Sequence, residues 1–186
     1  MCIRDSNRVE GPLLTVAVEL GARMLLLGGA ASSVAEGRDK LMEALHSGAG
    51  LEKLRQMIVA QGGDPACCDD VSKLPQAKII REVPAVEGGY LQRMDTIRLG
   101  NTAQAMGAGR KKKTDSIDYS VGFVMHKRIG DELRPGNAVA TVHASSEESA
   151  SRAAGEILAS LSLSPTPVPR CKLIHAFVDS EHVERL

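Results

Sequence analysis

The apolar residues of this 186-residue chain change their spacing part-way along, from helical before Gly62 to strand-like after Pro75. That switch constrains the fold more than any single motif, because helices and strands bury different faces and need different partners. Pro12 suits a first helical position. Leu13, Val16, Ala17, Leu20, Met24 and Leu27 follow on one face, and Leu14, Val18 and Leu25 add a second apolar row. Thr15, Glu19 and Arg23 are left as the polar stripe. The pattern predicts a helix from about Pro12 to Gly28, mostly buried, with Glu19 and Arg23 paired along its one exposed edge. Ser33-Val34-Ala35-Glu36 reads as a capping box opening a second helix, which turns Leu41 and Leu45 inward and stops at Gly48. A third helix, about Gly50 to Gln61, presents Leu51, Leu54 and Ile58 and ends at Gly62-Gly63-Asp64-Pro65.

Beyond Pro75 the segments become short and are divided by Gly and Pro. Lys78 to Val86 reads as a strand, Gly88-Gly89 as a turn and Tyr90 to Met94 as the next strand. A short helix is expected from Thr96 to Met106. Tyr119, Val121, Phe123 and Met125 alternate with polar or outward positions up to His126, as in a half-buried strand. Ala138 to Ala144 is a further strand. Ser145-Ser146-Glu147-Glu148 caps a last helix carrying Ala150, Ala153, Ala154, Ile157, Leu158 and Leu161 on one face. After Pro165, Pro167 and Pro169, Cys171 to Val178 reads as a final strand. The fold class is therefore α/β, of the α+β kind. Residues 7–76 are a helical segment and residues 77–186 a compact, barrel-sandwich-like module. The opening hexapeptide, residues 1–6, fits nothing that follows and is set aside as a scar of sequencing or gene calling.

Composition narrows the partners. Apolar residues make up 43% of the chain and aromatics 2%, so the core must be aliphatic. Lys and Arg number 23, as do Asp and Glu, and this balance argues against a dedicated nucleic-acid binder. Cys2, Cys67, Cys68 and Cys171 have no C-x-x-C spacing and no His at ligand spacing, which reads as reduced thiols in a cytoplasmic protein without a metal. No apolar run reaches the roughly 20 residues that span a bilayer, and no signal peptide is legible.

The segment with most chemical character is Gly107-Ala108-Gly109-Arg110-Lys111-Lys112-Lys113-Thr114. Glycines beside cations allow backbone N–H groups to converge on an anion while the side chains supply positive field. The run matches neither a phosphate-binding P-loop nor a dinucleotide fingerprint. It reads first as a solvated basic loop and second as a phosphate contact. From Arg110 to Arg128 there are six basic and two acidic residues, so the local potential is positive. The interleaved aromatics that nucleic-acid stacking requires are missing.

Gly130-Asp131-Glu132-Leu133-Arg134-Pro135-Gly136 before a strand has the shape of the turns in biotinyl and lipoyl carrier domains. A carrier needs a lysine at a hairpin tip, and none occurs between Thr141 and Arg170. His46, His126, His143, His175 and His182 stand in no triad or metal spacing. Asp69-Asp70 and Glu147-Glu148 are adjacent carboxylates, but acid–base work needs them placed across a cleft. From the residues alone a non-catalytic binding module remains an alternative to an enzyme.

An ordered set of segments resembles the pyrimidine-nucleoside phosphorylase family and its thymidine phosphorylase branch. These are Leu20-Gly21-Ala22-Arg23-Met24, Ala60-Gln61-Gly62-Gly63-Asp64, Lys73-Leu74-Pro75-Gln76-Ala77, Gly89-Tyr90 with Met94-Asp95-Thr96, Met106-Gly107-Ala108-Gly109-Arg110, Ile117-Asp118-Tyr119-Ser120-Val121-Gly122-Phe123, Gly130-Asp131 and Val142-His143-Ala144. The resemblance covers about residues 10–163 and corresponds to the carboxy-terminal half of that family. It implies a homodimeric pentosyltransferase of nucleoside salvage, taking a pyrimidine nucleoside and phosphate to free base and (deoxy)ribose 1-phosphate without a cofactor. It also implies that the catalytic residues belong to an amino-terminal half, so none is assigned in this chain, which would be inactive alone. Gly107, Gly109 and Arg110 would then form a loop at the mouth of the cleft, closing over substrate as lids do or merely permitting a tight turn.

Overall fold

The structure is a computed structural model and describes residues 11–178 and 180–185. The residues set aside at the start, and Cys2 with them, lie outside that range. The chain divides into two compact units. One joins the segment up to Lys73 with the segment from Lys172, and the other is Leu74–Cys171.

In the first unit, α1 is Pro12–Leu27, α2 is Val34–His46 and α3 is Ala49–Ala60. Ser33 caps α2 by accepting from the Glu36 backbone N–H at 3.1 Å. The reciprocal half of the box is displaced by one residue, since the Glu36 carboxylate accepts from the backbone N–H and hydroxyl of Ser32. α1 and α2 cross where Gly37 meets Ala22. A Cβ on Gly37 would lie 2.8 Å from the Ala22 carbonyl oxygen and 2.9 Å from its Cα. Two short 3₁₀ turns follow α3, Pro65–Cys68 and Val71–Lys73. A small antiparallel pair, β7 (Ala176–Val178) and β8 (Val183–Arg185), completes the unit.

The expected burial of α1 is inverted. The polar edge is the covered one: Glu19 binds both Arg23, at 2.7 Å, and Arg38 of α2, and the Arg23 guanidinium lies 4.9 Å from the centroid of the Phe177 ring. Ala22 is buried, whereas Leu13, Leu20, Met24 and Leu27 are exposed. The reason is steric. α2 approaches along the side where Gly37 and Ala22 permit close contact, and that side also carries Glu19.

In the second unit, β1 (Ile79–Pro84), β5 (Ala138–Ala144) and β3 (Gly122–Met125) form one antiparallel sheet with β5 in the centre. β4 (Glu132–Leu133), β2 (Gly89–Met94) and β6 (Leu161–Ser164) form a second, with β2 in the centre. Both sheets stay open. α4 (Thr96–Ala103) and α5 (Glu147–Ala159) complete the unit. Val83, Leu91, Val139, Val142 and Ile157 are its largest fully buried side chains. The aliphatic core expected from the composition is therefore present, and burying such side chains contributes about 1.5–3 kcal/mol each.

Three local expectations are corrected. Gly88-Gly89 is not a separate turn, because Gly89 already opens β2. β1 pairs with β5, β2 pairs with β4 and β6, and the glycines carry the chain between sheets. Gly89 has φ 148°, and a Cβ there would lie 2.9 Å from the Ser164 carbonyl oxygen, so close pairing with β6 demands glycine. Leu161 is not on α5; the helix ends at Ala159, and Leu161 opens β6 opposite Met94. Tyr119 is exposed and precedes β3, so only Val121, Phe123 and Met125 of its alternating set pack on the core. Where a carrier domain would display its lysine, β5 runs instead into α5.

Candidate functional site

The Gly107–Arg110 segment is built on α4. Asp95 caps that helix through the Arg98 backbone N–H at 3.0 Å, and the Arg98 side chain binds Glu156 of α5 at 2.7 Å. Leu99, Thr102 and Met106 face the core. The helix closes in one wide π turn, Gln104–Ala108, at whose end Gly107 takes φ 109° and ψ −1°. That region is sterically costly for any residue with a Cβ. The turn is fixed from outside as well, because the Asp118 backbone N–H donates to the Gly107 carbonyl at 3.0 Å. Gly109 differs. Its backbone is extended, and its hydrogen atoms face the Gln104 side chain, whose Nε2 donates to the Arg110 carbonyl at 2.7 Å.

The backbone of the basic run is tied down by one carboxylate, and a second closes the turn that follows it. One oxygen of Asp115 accepts from the backbone N–H groups of Lys111 at 3.0 Å and Lys112 at 2.9 Å. Asp118 accepts from both the N–H and the hydroxyl of Ser120, at 2.9 and 2.6 Å. These hydrogen bonds, aided by the charge of Lys78, hold the Asp118 carboxyl below the ordinary carboxylate range. The side chains of Arg110, Lys111, Lys112 and Lys113 are exposed and pair with no acid among the described residues. The segment is thus a latched backbone with four free cations above it. Convergent N–H groups of the kind an anion would use are present, but they serve an internal carboxylate.

The remaining candidates resolve into structural roles. Asp69 takes a bidentate contact from Arg55, at 2.7 and 2.9 Å, and its carboxyl is held low by those hydrogen bonds. Glu147 pairs with Arg81, and Glu148 with Arg152. Cys68 is buried, and burial pushes its thiol up; Cys67 donates to the Asp64 carbonyl, and Cys171 is exposed. His126 shares a hydrogen bond with Thr141 at 2.7 Å. Among the described residues no three His, Cys, Asp or Glu side chains stand close enough to hold a metal ion. No described helix is long and apolar enough to cross a membrane. The sequence reading missed the Asp115 latch and the Arg98–Glu156 clamp. An acid two residues past a basic run is a usable signal for the first, whereas the second joins residues 58 positions apart.

Comparison with known proteins brings the two units under one heading. Residues 90–164 match the family model of the pyrimidine nucleoside phosphorylase C-terminal domain. A pyrimidine-nucleoside phosphorylase of Geobacillus stearothermophilus is 36% identical over 173 residues, which is 92% of this chain and 40% of that relative. Another, from Bacillus subtilis, is 38% identical over 145 residues, 77% of this chain and 34% of the relative. A third, from Staphylococcus aureus, is 36% identical over 146 residues, again 77% and 34%. The chain spans well under half the length of the curated relatives it matches.

Proposed function

This chain carries a pyrimidine nucleoside phosphorylase C-terminal domain at residues 90–164, and on that premise we propose that it supplies the carboxy-terminal portion of an enzyme that splits pyrimidine nucleosides with phosphate. The products are the free base and (deoxy)ribose 1-phosphate. The observation that carries the reading is the breadth of the match: 92% of this chain aligns at 36% identity with only 40% of a phosphorylase. The complete enzyme works as a homodimer in the cytoplasm and needs no cofactor, because phosphate is itself the attacking co-substrate.

Within that enzyme the Gly107–Arg110 segment borders the mouth of the cleft. The strained turn at Gly107 and the Asp115 latch would present Arg110 and its neighbouring lysines as a positive rim, which favours the approach of phosphate. Thymidine is the natural first substrate to test. The purified chain should show no phosphate-dependent loss of thymidine absorbance, and activity should appear once the amino-terminal portion of a phosphorylase is joined to it. Phosphorolysis by the isolated chain would overturn the division of labour.

A further inference from the structure

Two thiols stand side by side away from the Gly107–Arg110 segment. Cys67 and Cys68 are consecutive residues of the 3₁₀ turn Pro65–Cys68. Pro65 and Asp64 fix the start of that turn, the Asp64 carboxylate accepting from the Ala66 backbone N–H at 2.8 Å. Cys67 is half-buried and its Sγ donates to the Asp64 carbonyl at 3.2 Å, whereas Cys68 is only 5% exposed. The two side chains are within hydrogen-bond reach of each other, and both are free thiols. The Arg55 guanidinium, held by Asp69 and by the Pro65 carbonyl, places positive charge beside Cys68 and offsets part of the burial that opposes its thiolate.

What such a pair can hold follows from its geometry. No peptide bond among the described residues is cis, so the two Cα atoms are about 3.8 Å apart. Disulfides usually need roughly 4.4 Å or more between Cα atoms, so a direct S–S bond fits this turn poorly. One larger atom placed between the sulfurs fits it better. Zinc is not that atom, because it takes four donors. Asp69 is committed to Arg55 and Asp64 to the Ala66 N–H, and among the described residues no third metal-binding side chain joins the pair. A soft atom satisfied by two thiolates is what remains.

We propose that Cys67 and Cys68 form a dithiol site for trivalent arsenicals of the form R–As=O, independent of the phosphorylase reading. The more accessible Cys67 captures the arsenic and Cys68 closes the chelate. Two S–As bonds form, the arsenic–oxygen bond breaks, and the two thiol protons leave with that oxygen as water. Arsenic stays trivalent and neither sulfur is oxidised. Closure is intramolecular, so the pair should hold the arsenical at least about 100-fold more tightly than a lone thiol such as Cys171.

The test treats the folded 186-residue chain with phenylarsine oxide and then with excess glutathione, and reads the intact mass. One phenylarsenic group less two hydrogens should be retained, and dithiothreitol should remove it. Cys67→Ser and Cys68→Ser should each lower retention by about 100-fold or more, whereas Cys171→Ser and Cys2→Ser should leave it unchanged. If the buried Cys68→Ser variant fails to fold, Cys67→Ser at the more accessible position still decides the matter. Glutathione stripping the arsenical from the unsubstituted chain overturns the proposal. So does equal retention by Cys67→Ser, or loss of retention in Cys171→Ser or Cys2→Ser. Capture that occurs only in urea overturns it as well, since the folded turn then keeps Cys68 out of reach.

Discussion

Gly37 and Gly155 both sit inside helices, yet replacing each by alanine should move stability in opposite directions. Alanine is favoured over glycine in a helix interior by about 1 kcal/mol. At Gly155 of α5 nothing lies within 4 Å of the added Cβ, so that gain is realised, and Gly155→Ala should stabilise by about 0.5–1 kcal/mol. At Gly37 the new carbon would meet the Ala22 carbonyl oxygen at 2.8 Å, its Cα at 2.9 Å and its Cβ at 3.1 Å. Carbon atoms pack at about 3.5–4.0 Å, and two of these three neighbours are backbone, so no side-chain rotation relieves the overlap. α1 and α2 must separate by more than half an ångström, which strains the Arg38–Glu19 contact between them. Overpacking of this kind costs about 1–3 kcal/mol and outweighs the propensity gain. The net loss should be about 1–2 kcal/mol, or roughly 4–16 °C in midpoint for a unit of this size. Urea and thermal unfolding followed by helical circular dichroism measure both variants. If Gly37→Ala stabilised as much as Gly155→Ala, the α1–α2 crossing described here would be refuted.

Acid should loosen the helical unit. Hydrogen bonds from Arg38 and then Arg23 hold the Glu19 carboxyl at about 2, below its ordinary 4.5. Because that value is depressed in the folded state, the stabilisation is fully present above 4.5 and is lost as pH falls from 4.5 towards 2; Glu19→Gln should flatten the acid limb of a stability–pH curve. The two loop glycines should also separate. Gly107→Ala forces a Cβ into φ 109° and should cost on the order of 1–3 kcal/mol, whereas Gly109→Ala, in extended backbone against a flexible Gln104, should stay within about 0.5 kcal/mol in urea unfolding. Asp115→Ala removes the acceptor shared by Lys111 and Lys112, so their amides should exchange with solvent about 10-fold faster while global stability falls by no more than about 1 kcal/mol.

The sequence was most legible where one local rule decides the outcome. Pro12, Ser33 and Ser146 opened helices because a cap or a fixed φ acts within one turn of chain, and β5 matched its expected limits because its apolar run is bounded on both sides. Reading failed where a distant backbone made the decision. Gly88-Gly89 carries a common turn signal, yet which strand receives β2 depends on β6, some 70 residues later. The burial of α1 depended on a glycine in α2, which no periodicity within α1 can report. At the loop, the cations and glycines were visible, but the Asp115 and Asp118 contacts that turn them into a fixed shape were not. Hydrogen bonds to backbone leave no periodic trace in sequence.

Leu13, Leu20, Met24 and Leu27 leave the outward side of α1 apolar. An isolated module selected for its own solubility would be expected to place charge on the exposed side of its first helix, and a few substitutions suffice for that. Here the charged residues Glu19, Arg23 and Arg38 are spent on the covered side, and leucine and methionine face outward. Such an arrangement lowers the free energy of the chain only when another element removes those side chains from water. At about 25 cal/mol per Å², covering roughly 550 Å² of apolar surface on α1 is worth on the order of 14 kcal/mol before ordering costs. That is comparable to the whole stability of an ordinary domain. The energetic case for α1 therefore lies in a contact that removes these side chains from water.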